Sequence, residues 1–511
     1  MENKNYLNKL LPTLINSIKQ MKKQIVIGGL FLLLTAVSVS AQKTTWISTT
    51  ETAPWQTFDI PSNSGTNATQ IEIFPDKVLQ QIDGFGSCFN ELGWTSLNEL
   101  KPEDRKKIFQ ELFEPGYGAG FTICRMPIGA NDFSRDWYSY DETEGDFGLK
   151  NFSIKNDKET LIPFIKSAQK YNPKLQLWAS PWSPPSWMKY NKHYALAKVP
   201  SVFGTAENGI RDNQLGKEGE DMFIQEDAYF KVYAVYFRKF IEAYKKEKIT
   251  IGMVMPQNEF NSAQWYPSCT WTPGGLSKFL KFLGPEMAKT KTDIFFGTFE
   301  RPNEQMFKEA YSKEVSSYIK GVGFQWGGKD AVGKIHQEYP QLKIYQSEHE
   351  CGDGQNSWEY CEYGWDLMKH YFENGANAYL YWNTALNEGG VSRWGWKQNS
   401  LITVNKNNKT YKYNPEYYMM KHLSHFVKPG AHLIESSSVN TKLHRDDVLF
   451  KNEVNLDSNT NNLLAFKNLD NSIVVVIYNA DATDKAITLR SGKTVLNPII
   501  KSKSFNTFLI K

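Results

Sequence analysis

Eight short apolar runs, each followed by a longer stretch of mixed polarity, constrain this chain more than any other feature. They are Ile82–Phe89, Gly120–Met126, Leu175–Ser180, Ile251–Pro256, Asp293–Phe299, Gly321–Trp326, Leu342–Ser347 and Ala376–Asn383. Continuous apolar character, rather than strict alternation, marks strands buried on both faces, as in a parallel sheet covered by helices. The intervening segments read as those helices. In Asp227–Lys245 the residues Tyr229, Val232, Tyr233, Tyr236, Phe237 and Phe240 recur at helical spacing, and Lys101–Phe113 and Trp358–Asn374 behave alike. Eight such strand-then-helix units predict an α/β fold, a (β/α)8 TIM barrel over residues 82–428. The same spacing also admits an open doubly wound sheet.

Outside the barrel segment the pattern is all β. Thr45–Ser48 and Gln70–Phe74 precede it, and Asn462–Phe466, Ser472–Tyr478, Ala486–Leu489 and Phe505–Ile510 follow, broken by Asn, Asp and Gly turns. Residues 429–511 are few for a complete sandwich. The strands of residues 42–81 are therefore expected to complete it, giving one appended β-sandwich domain built from both chain termini. No internal repeat is visible.

The chain of 511 residues carries a formal charge of +4, which would hint at an anionic partner. Residues 1–41 hold five lysines and one glutamate; taking these from the 59 basic and 55 acidic residues leaves 54 of each. Those first residues read as a leader: Met21-Lys22-Lys23 supplies a basic start, Ile25–Val39 an apolar run, and Val39-Ser40-Ala41 small residues for cleavage before Gln42. Met21 is the expected initiator, with residues 1–20 upstream of it. The apolar run falls short of the ~20 residues a bilayer-spanning helix needs. Export to the periplasm, the cell surface or the medium is expected, with no integral membrane segment in the mature chain. A charge-balanced remainder gives no reason to expect a nucleic-acid partner. Five cysteines in an exported chain allow at most two bridges, with Cys351 and Cys361 one possible pair. With no Cys-x-x-Cys, no His-Glu-x-x-His and only 8 histidines, no metal site and no cofactor is expected.

Two segments place carboxylates at the carboxyl ends of expected barrel strands, the face on which barrel enzymes do chemistry. Val254–Glu259 ends the fourth run and Ile344–Glu350 ends the seventh. Strands four and seven lie nearly opposite in an eight-stranded barrel, so Glu259 and Glu348 can face each other across the mouth. A carboxyl pair about 5–5.5 Å apart suits a retaining glycosidase, one acid protonating the leaving oxygen and the other attacking the anomeric carbon. Such a pair needs unequal environments, so that one holds its proton and the other stays ionised. Asn258, beside the first carboxylate, can donate to a sugar hydroxyl. A lone glutamate at a strand end is more often a solvated loop residue, and Glu91, Glu300, Glu350 and Asp353 compete for the same roles.

Six motifs in order then resemble glycoside hydrolase family 30, the group containing glucosylceramidases and bacterial and fungal β-1,6-glucanases. They are Asp83–Gly86, Cys124–Ser134 (containing Arg125 and Asp132), Ala179–Lys189 (containing Trp182 and Trp187), Asn258-Glu259, Ser347-Glu348 and Tyr381–Asn387. The resemblance runs from about Gln70 to the last strand. It implies the barrel and sandwich, retention of configuration, Glu259 as acid/base and Glu348 as nucleophile. It also implies that Asp132 and Trp182 bind hydroxyls of the cleaved sugar, that Asn258 binds its 2-hydroxyl, and that Trp382 forms the floor or wall, with Asn383 beside it among the substrate-binding residues. Arg125 would lie near the nucleophile, in a catalytic or a purely structural ion pair, and Trp187 would serve packing. The chain departs from the glucosylceramidase pattern at Phe260, where proline is usual, and at Gln325-Trp326-Gly327, where His-Trp-Tyr is expected.

Of the 15 tryptophans, thirteen lie between Trp94 and Trp396. Aromatic rings stack on pyranose faces, so Trp265, Tyr266, Trp271, Trp326, Trp394 and Trp396 are candidate platforms, with Tyr266 and Trp326 assigned to substrate binding. The expected activity is that of a secreted retaining β-glycosidase on a carbohydrate substrate, foremost an endo-β-1,6-glucanase. The alternatives are a glucosylceramidase, an exo-β-glucosidase, a β-1,6-galactanase or a β-xylosidase. A non-catalytic carbohydrate-binding protein on the same scaffold is the alternative of a different class.

Overall fold

The eight apolar runs become eight parallel strands that close on themselves. A computed structural model describes residues 44–60, 66–204, 206–439 and 462–511; the expected leader and its cleavage point lie outside the described residues. The strands are β1 (Gly84–Cys88), β2 (Ile123–Pro127), β3 (Gln176–Ser180), β4 (Met253–Val254), β5 (Asp293–Phe299), β6 (Ile319–Gln325), β7 (Lys343–Glu348) and β8 (Ala378–Asn383). Each pairs in parallel with its chain neighbour, and β8 returns to β1 through Ala378 opposite Gly84, which excludes the open sheet. Inside the ring, Trp178, Met253, Met255, Phe295 and Tyr345 pack as a closed core, so the barrel is filled rather than hollow. The Asp83–Gly86 motif has a steric explanation: a Cβ on Gly86 would stand 1.6 Å from the Ile123 carbonyl oxygen.

The fourth run pairs over two residues only. Pro256 has no N–H to give the ladder, and the chain beyond Val254 is tied instead by Met255 N–H to the Ala179 carbonyl at 2.8 Å and Asn258 N–H to the Pro181 carbonyl at 2.7 Å. Helices cover the outside, among them Asp227–Lys246, whose buried face is the expected aromatic stripe, and Trp358–Glu373. A small sheet absent from the sequence expectation follows β8, made of Ala385–Asn387, Ile402–Asn405 and Thr410–Tyr413.

Both chain ends build the second domain. Thr44–Thr49 pairs antiparallel with Ser504–Ile510, placing Trp46 opposite Phe508, while Thr69–Gln81 pairs in parallel with Lys485–Ser491 and antiparallel with His432–Val439. The inward side chains, including Trp46, Ile71, Ile73, Val475, Ile487, Leu489 and Phe508, form a separate apolar core. The helix Pro415–Ser424 fastens the two domains. Its His422 lies fully buried, with Nδ1 2.8 Å from Thr507 Oγ1 and Nε2 2.8 Å from Thr49 Oγ1, one hydroxyl from each terminal strand. All five cysteines are buried free thiols, Cys351 and Cys361 included. No helix among the described residues is long and apolar enough to cross a membrane.

Candidate active site

The carboxyl ends of the barrel strands converge on one buried guanidinium. Arg125, on β2, has no solvent exposure. Moving an uncompensated charge that deep costs several kcal/mol, so every arm of its donor fork must be met. Nε and Nη2 donate to Ser180 Oγ on β3, at 3.2 and 2.9 Å. Nη2 donates to Asn258 Oδ1 at 2.6 Å, and Nη1 to Gln325 Oε1 and the Ser347 carbonyl, both at 3.2 Å. The one anion it touches is Glu348, at 3.0 Å. The cation also lies over the stacked pair Trp182–Trp382, whose centroids are 5.2 Å apart; Arg125 Cζ is 4.6 Å from the first ring and 5.4 Å from the second.

Glu259 is held without a direct cation. Its Oε1 accepts from Gln325 Nε2 and its Oε2 from the Tyr266 hydroxyl, each at 3.2 Å. Its backbone sits in the left-handed region at φ 44°, rare for a residue with a side chain. The Thr298 hydroxyl, accepting from Glu259 N–H at 2.8 Å, pins that turn. Asn258 Oδ1 accepts from Arg125 and from the Thr298 hydroxyl, the latter at 3.3 Å, which fixes the amide flip and leaves Nδ2 as its free donor end.

Three carboxyl groups therefore surround one guanidinium. Burial pushes Asp132 up to about 8, with repulsion from Glu259 adding to it. Burial also raises Glu259, against the pull of the Gln325 hydrogen bond. Glu348 is pushed up by burial and by its two acidic neighbours, while Arg125 and the Trp326 indole draw it down. One cation balances one charge. Only Glu348 touches that cation, which favours its ionised form against the burial that raises it, while Asp132 and Glu259 have no cation in contact. The arrangement thus supplies one carboxyl held by a cation and a second held by neutral donors only. Asp132 Oδ1 and the adjoining Trp382 Nε1 are buried without completed hydrogen bonds, an unpaired acceptor and donor of the kind a hydroxylated ligand satisfies.

Arg125, Asp132, Trp182, Asn258, Glu259, Tyr266, Trp326, Glu348 and Trp382 are thus brought together. Asn383 is differently occupied: its oxygen accepts from Asn90 at 2.9 Å, and its N–H groups donate to Gln398 Oε1 at 2.8 Å and the Asn399 carbonyl at 3.3 Å. It braces the end of β8, with both N–H groups taken up within the protein. Glu350 belongs to another cluster, with Lys329 Nζ at 2.9 Å and the Tyr363 hydroxyl at 2.7 Å. Glu91 is buried in a bridge to Arg135. Trp271 stacks on Phe223 at 4.6 Å in the core, and Trp394 is buried with its N–H on the Tyr194 hydroxyl at 3.2 Å, so neither forms a platform. Trp187 packs, donating to the Asp141 carbonyl.

Gln325, Ser180 and Thr298 were not anticipated from the sequence. Gln325 is the most consequential, because its amide links the Arg125–Glu348 pair to Glu259. The available signal was its place as the last residue of β6.

Comparison with known proteins agrees with the fold. The glycosyl hydrolase family 30 TIM-barrel domain matches residues 82–427, and the family 30 beta sandwich domain matches residues 453–508. The chain is 28% identical over 435 residues to putative glucosylceramidase 1 of Caenorhabditis elegans, covering 80% of this chain and 76% of that one. It is 25% identical over 461 residues to endo-1,6-beta-D-glucanase neg1 of Aspergillus fumigatus, covering 86% and 87%. The solved endo-beta1,6-glucanase BT3312 superposes with a TM-score of 0.74 at 25% identity, covering 91% of this chain and 99% of that one. The chain belongs to glycosyl hydrolase family 30 and is an O-glycosyl hydrolase.

Proposed function

We propose that this enzyme is a retaining β-glycosidase that cleaves β-1,6-glucan internally, with Glu348 as nucleophile and Glu259 as acid/base. The observation that carries the assignment is the unequal pairing of the two carboxyls, Glu348 on a guanidinium and Glu259 on neutral donors. In the first step Glu259 gives its proton to the glycosidic oxygen as that bond breaks, and a Glu348 oxygen bonds to the anomeric carbon. In the second, Glu259 takes a proton from water, whose oxygen displaces Glu348 and restores the original configuration. Asn258 Nδ2 donates to the 2-hydroxyl, and Asp132 and Trp382 Nε1 bind hydroxyls of the same ring.

The glucan reading is supported by relatives named as endo-1,6-β-glucanases and by the expected leader, which would deliver the enzyme to a compartment where polysaccharide is met. Glucosylceramide is the second reading, favoured by the relatives named as glucosylceramidases. Trapping with a 2-deoxy-2-fluoro-β-glucoside and peptide mapping tests the mechanism: label is expected on Glu348, and label on Glu350 would overturn the assignment. Product profiles on β-1,6-glucan, glucosylceramide and aryl β-glucosides separate the substrates. A non-catalytic binding protein would release nothing from any of them.

A further inference from the structure

We propose that Trp265, Trp396 and Phe203 form the subsite for the first sugar of the leaving group, so that the enzyme selects a leaving group that is itself a pyranose. The proposal rests on Glu259 being the acid, because the group that protonates the leaving oxygen must stand beside it. From Glu259 a continuous series of ring contacts reaches all three. The Tyr266 hydroxyl touches Glu259 at 3.2 Å. Trp265 meets Tyr266 edge to face with centroids 5.4 Å apart. Phe203 stacks on Trp265 at 5.2 Å and 27°, and Trp396 leans on Trp265 at 5.2 Å and 56°. Phe203 and Trp396 close the triangle at 5.8 Å.

The three rings come from three separate segments: the loop after β4, the turn Ser201–Phe203 after β3, and the loop after β8. All three are only half-buried, unlike Trp271 and Trp394, so ring surface remains outside the core. Their backbones are fastened. Asn208 Nδ2 donates to the Trp265 carbonyl at 2.8 Å, and the Trp396 carbonyl accepts from Ser392 N–H at 2.7 Å. Gly395, at φ 84°, lets Phe203 sit close: a Cβ there would lie 2.6 Å from the Phe203 Cβ. Rings held before ligand arrives lose little entropy on binding, and flat rigid rings suit the C–H faces of a sugar better than a flexible acyl chain.

The test compares Trp265→Ala and Trp396→Ala with the parent enzyme on three substrates: a β-1,6-linked glucotriose, β-glucosyl fluoride and glucosylceramide in detergent micelles. Fluoride departs without occupying a sugar subsite. The ratio of kcat/KM on the triose to that on the fluoride is expected to fall on the order of tenfold or more in each variant, roughly the loss of one stacked ring. Trp265→Phe is expected to recover most of that ratio, and thermal melting verifies that each variant is folded. An unchanged ratio overturns the subsite. A loss confined to glucosylceramide overturns the pyranose assignment in favour of lipid. A parent enzyme that cleaves none of the three would instead overturn the catalytic reading beneath it.

Discussion

Arg125 donates to Glu348 at 3.0 Å, whereas Glu259 is held by two neutral donors, Gln325 and Tyr266, at 3.2 Å each. The difference supports the proposed roles, Glu348 as nucleophile and Glu259 as acid/base. A fixed cation favours the ionised form of the group it touches, a help that a buried carboxyl with only neutral donors lacks. Arg125→Lys removes the forked geometry and loosens the contact. The Glu348 carboxyl then rises further, so the acidic limb of the kcat/KM profile is expected to move to higher pH, with kcat/KM down on the order of a hundredfold. Stability should also fall by about 3 kcal/mol, the lower end of the cost of breaking a buried pair. A pH–rate series and a urea melt read both.

Gln325 is expected to set the other limb. Its Nε2 hydrogen bond to Glu259 stabilises the ionised carboxylate and so lowers that group's pKa. Gln325→Leu removes the donor, and Glu259 should then keep its proton to higher pH. The alkaline limb of kcat/KM therefore moves up while the acidic limb moves less. Tyr266→Phe should shift the same limb in the same direction. An alkaline limb that moves down in either variant would contradict Glu259 as the acid.

The barrel was legible because its strands are buried on both faces and read as unbroken apolar runs. Where a run and its strand disagree, at Ile251–Pro256, the cause is a proline that cannot enter the ladder. The strand His432–Val439 escaped notice because Glu435 and the serines 436–438 interrupt its apolar character; its place between Thr69–Gln81 and Leu463–Lys467 makes it a strand. Strand ends made the two carboxylates candidates, and the family motifs at Asn258-Glu259 and Ser347-Glu348 singled them out from Glu91, Glu300, Glu350 and Asp353. Gln325 was not singled out: a neutral side chain gains its role only when barrel closure sets β6 between β5 and β7. Asn383 shows the reverse, since a position next to Trp382 suggested a sugar contact but the alternation along β8 turned its amide toward Asn90 and Gln398.

His422 predicts how the joint between the domains responds to acid. Burial lowers its pKa from 6.5 to about 3. The unfolded chain then binds the proton that the folded chain refuses, so this group's contribution is complete above pH 6.5 and is lost as pH falls toward 3. Between pH 7 and pH 5 the loss is about 2 kcal/mol. His422→Gln should be less stable than the parent at pH 7, because it gives up at least one of the hydroxyl contacts to Thr49 and Thr507. That deficit should shrink by about 2 kcal/mol at pH 5, as chemical denaturation at the two pH values would reveal.

Asp157 predicts the opposite sign. Its carboxyl is fully buried and accepts from three tyrosine hydroxyls, Tyr138 at 2.8 Å, Tyr140 at 2.6 Å and Tyr244 at 2.5 Å. Burial outweighs those donors and raises its pKa from 3.8 to about 6. The folded state holds a proton that the unfolded state has released, so stability falls as pH rises from 4 through 6 and levels off above. The full difference amounts to about 3 kcal/mol. Asp157→Asn keeps the shape and removes the titration. Relative to the parent, the variant should gain about 2.5 kcal/mol between pH 4 and pH 8, a trend opposite to that of His422→Gln on acidification. Parallel urea melts across that range check it, and a relative stability that stays flat with pH would mean that Asp157 is already ionised in the folded protein at pH 4.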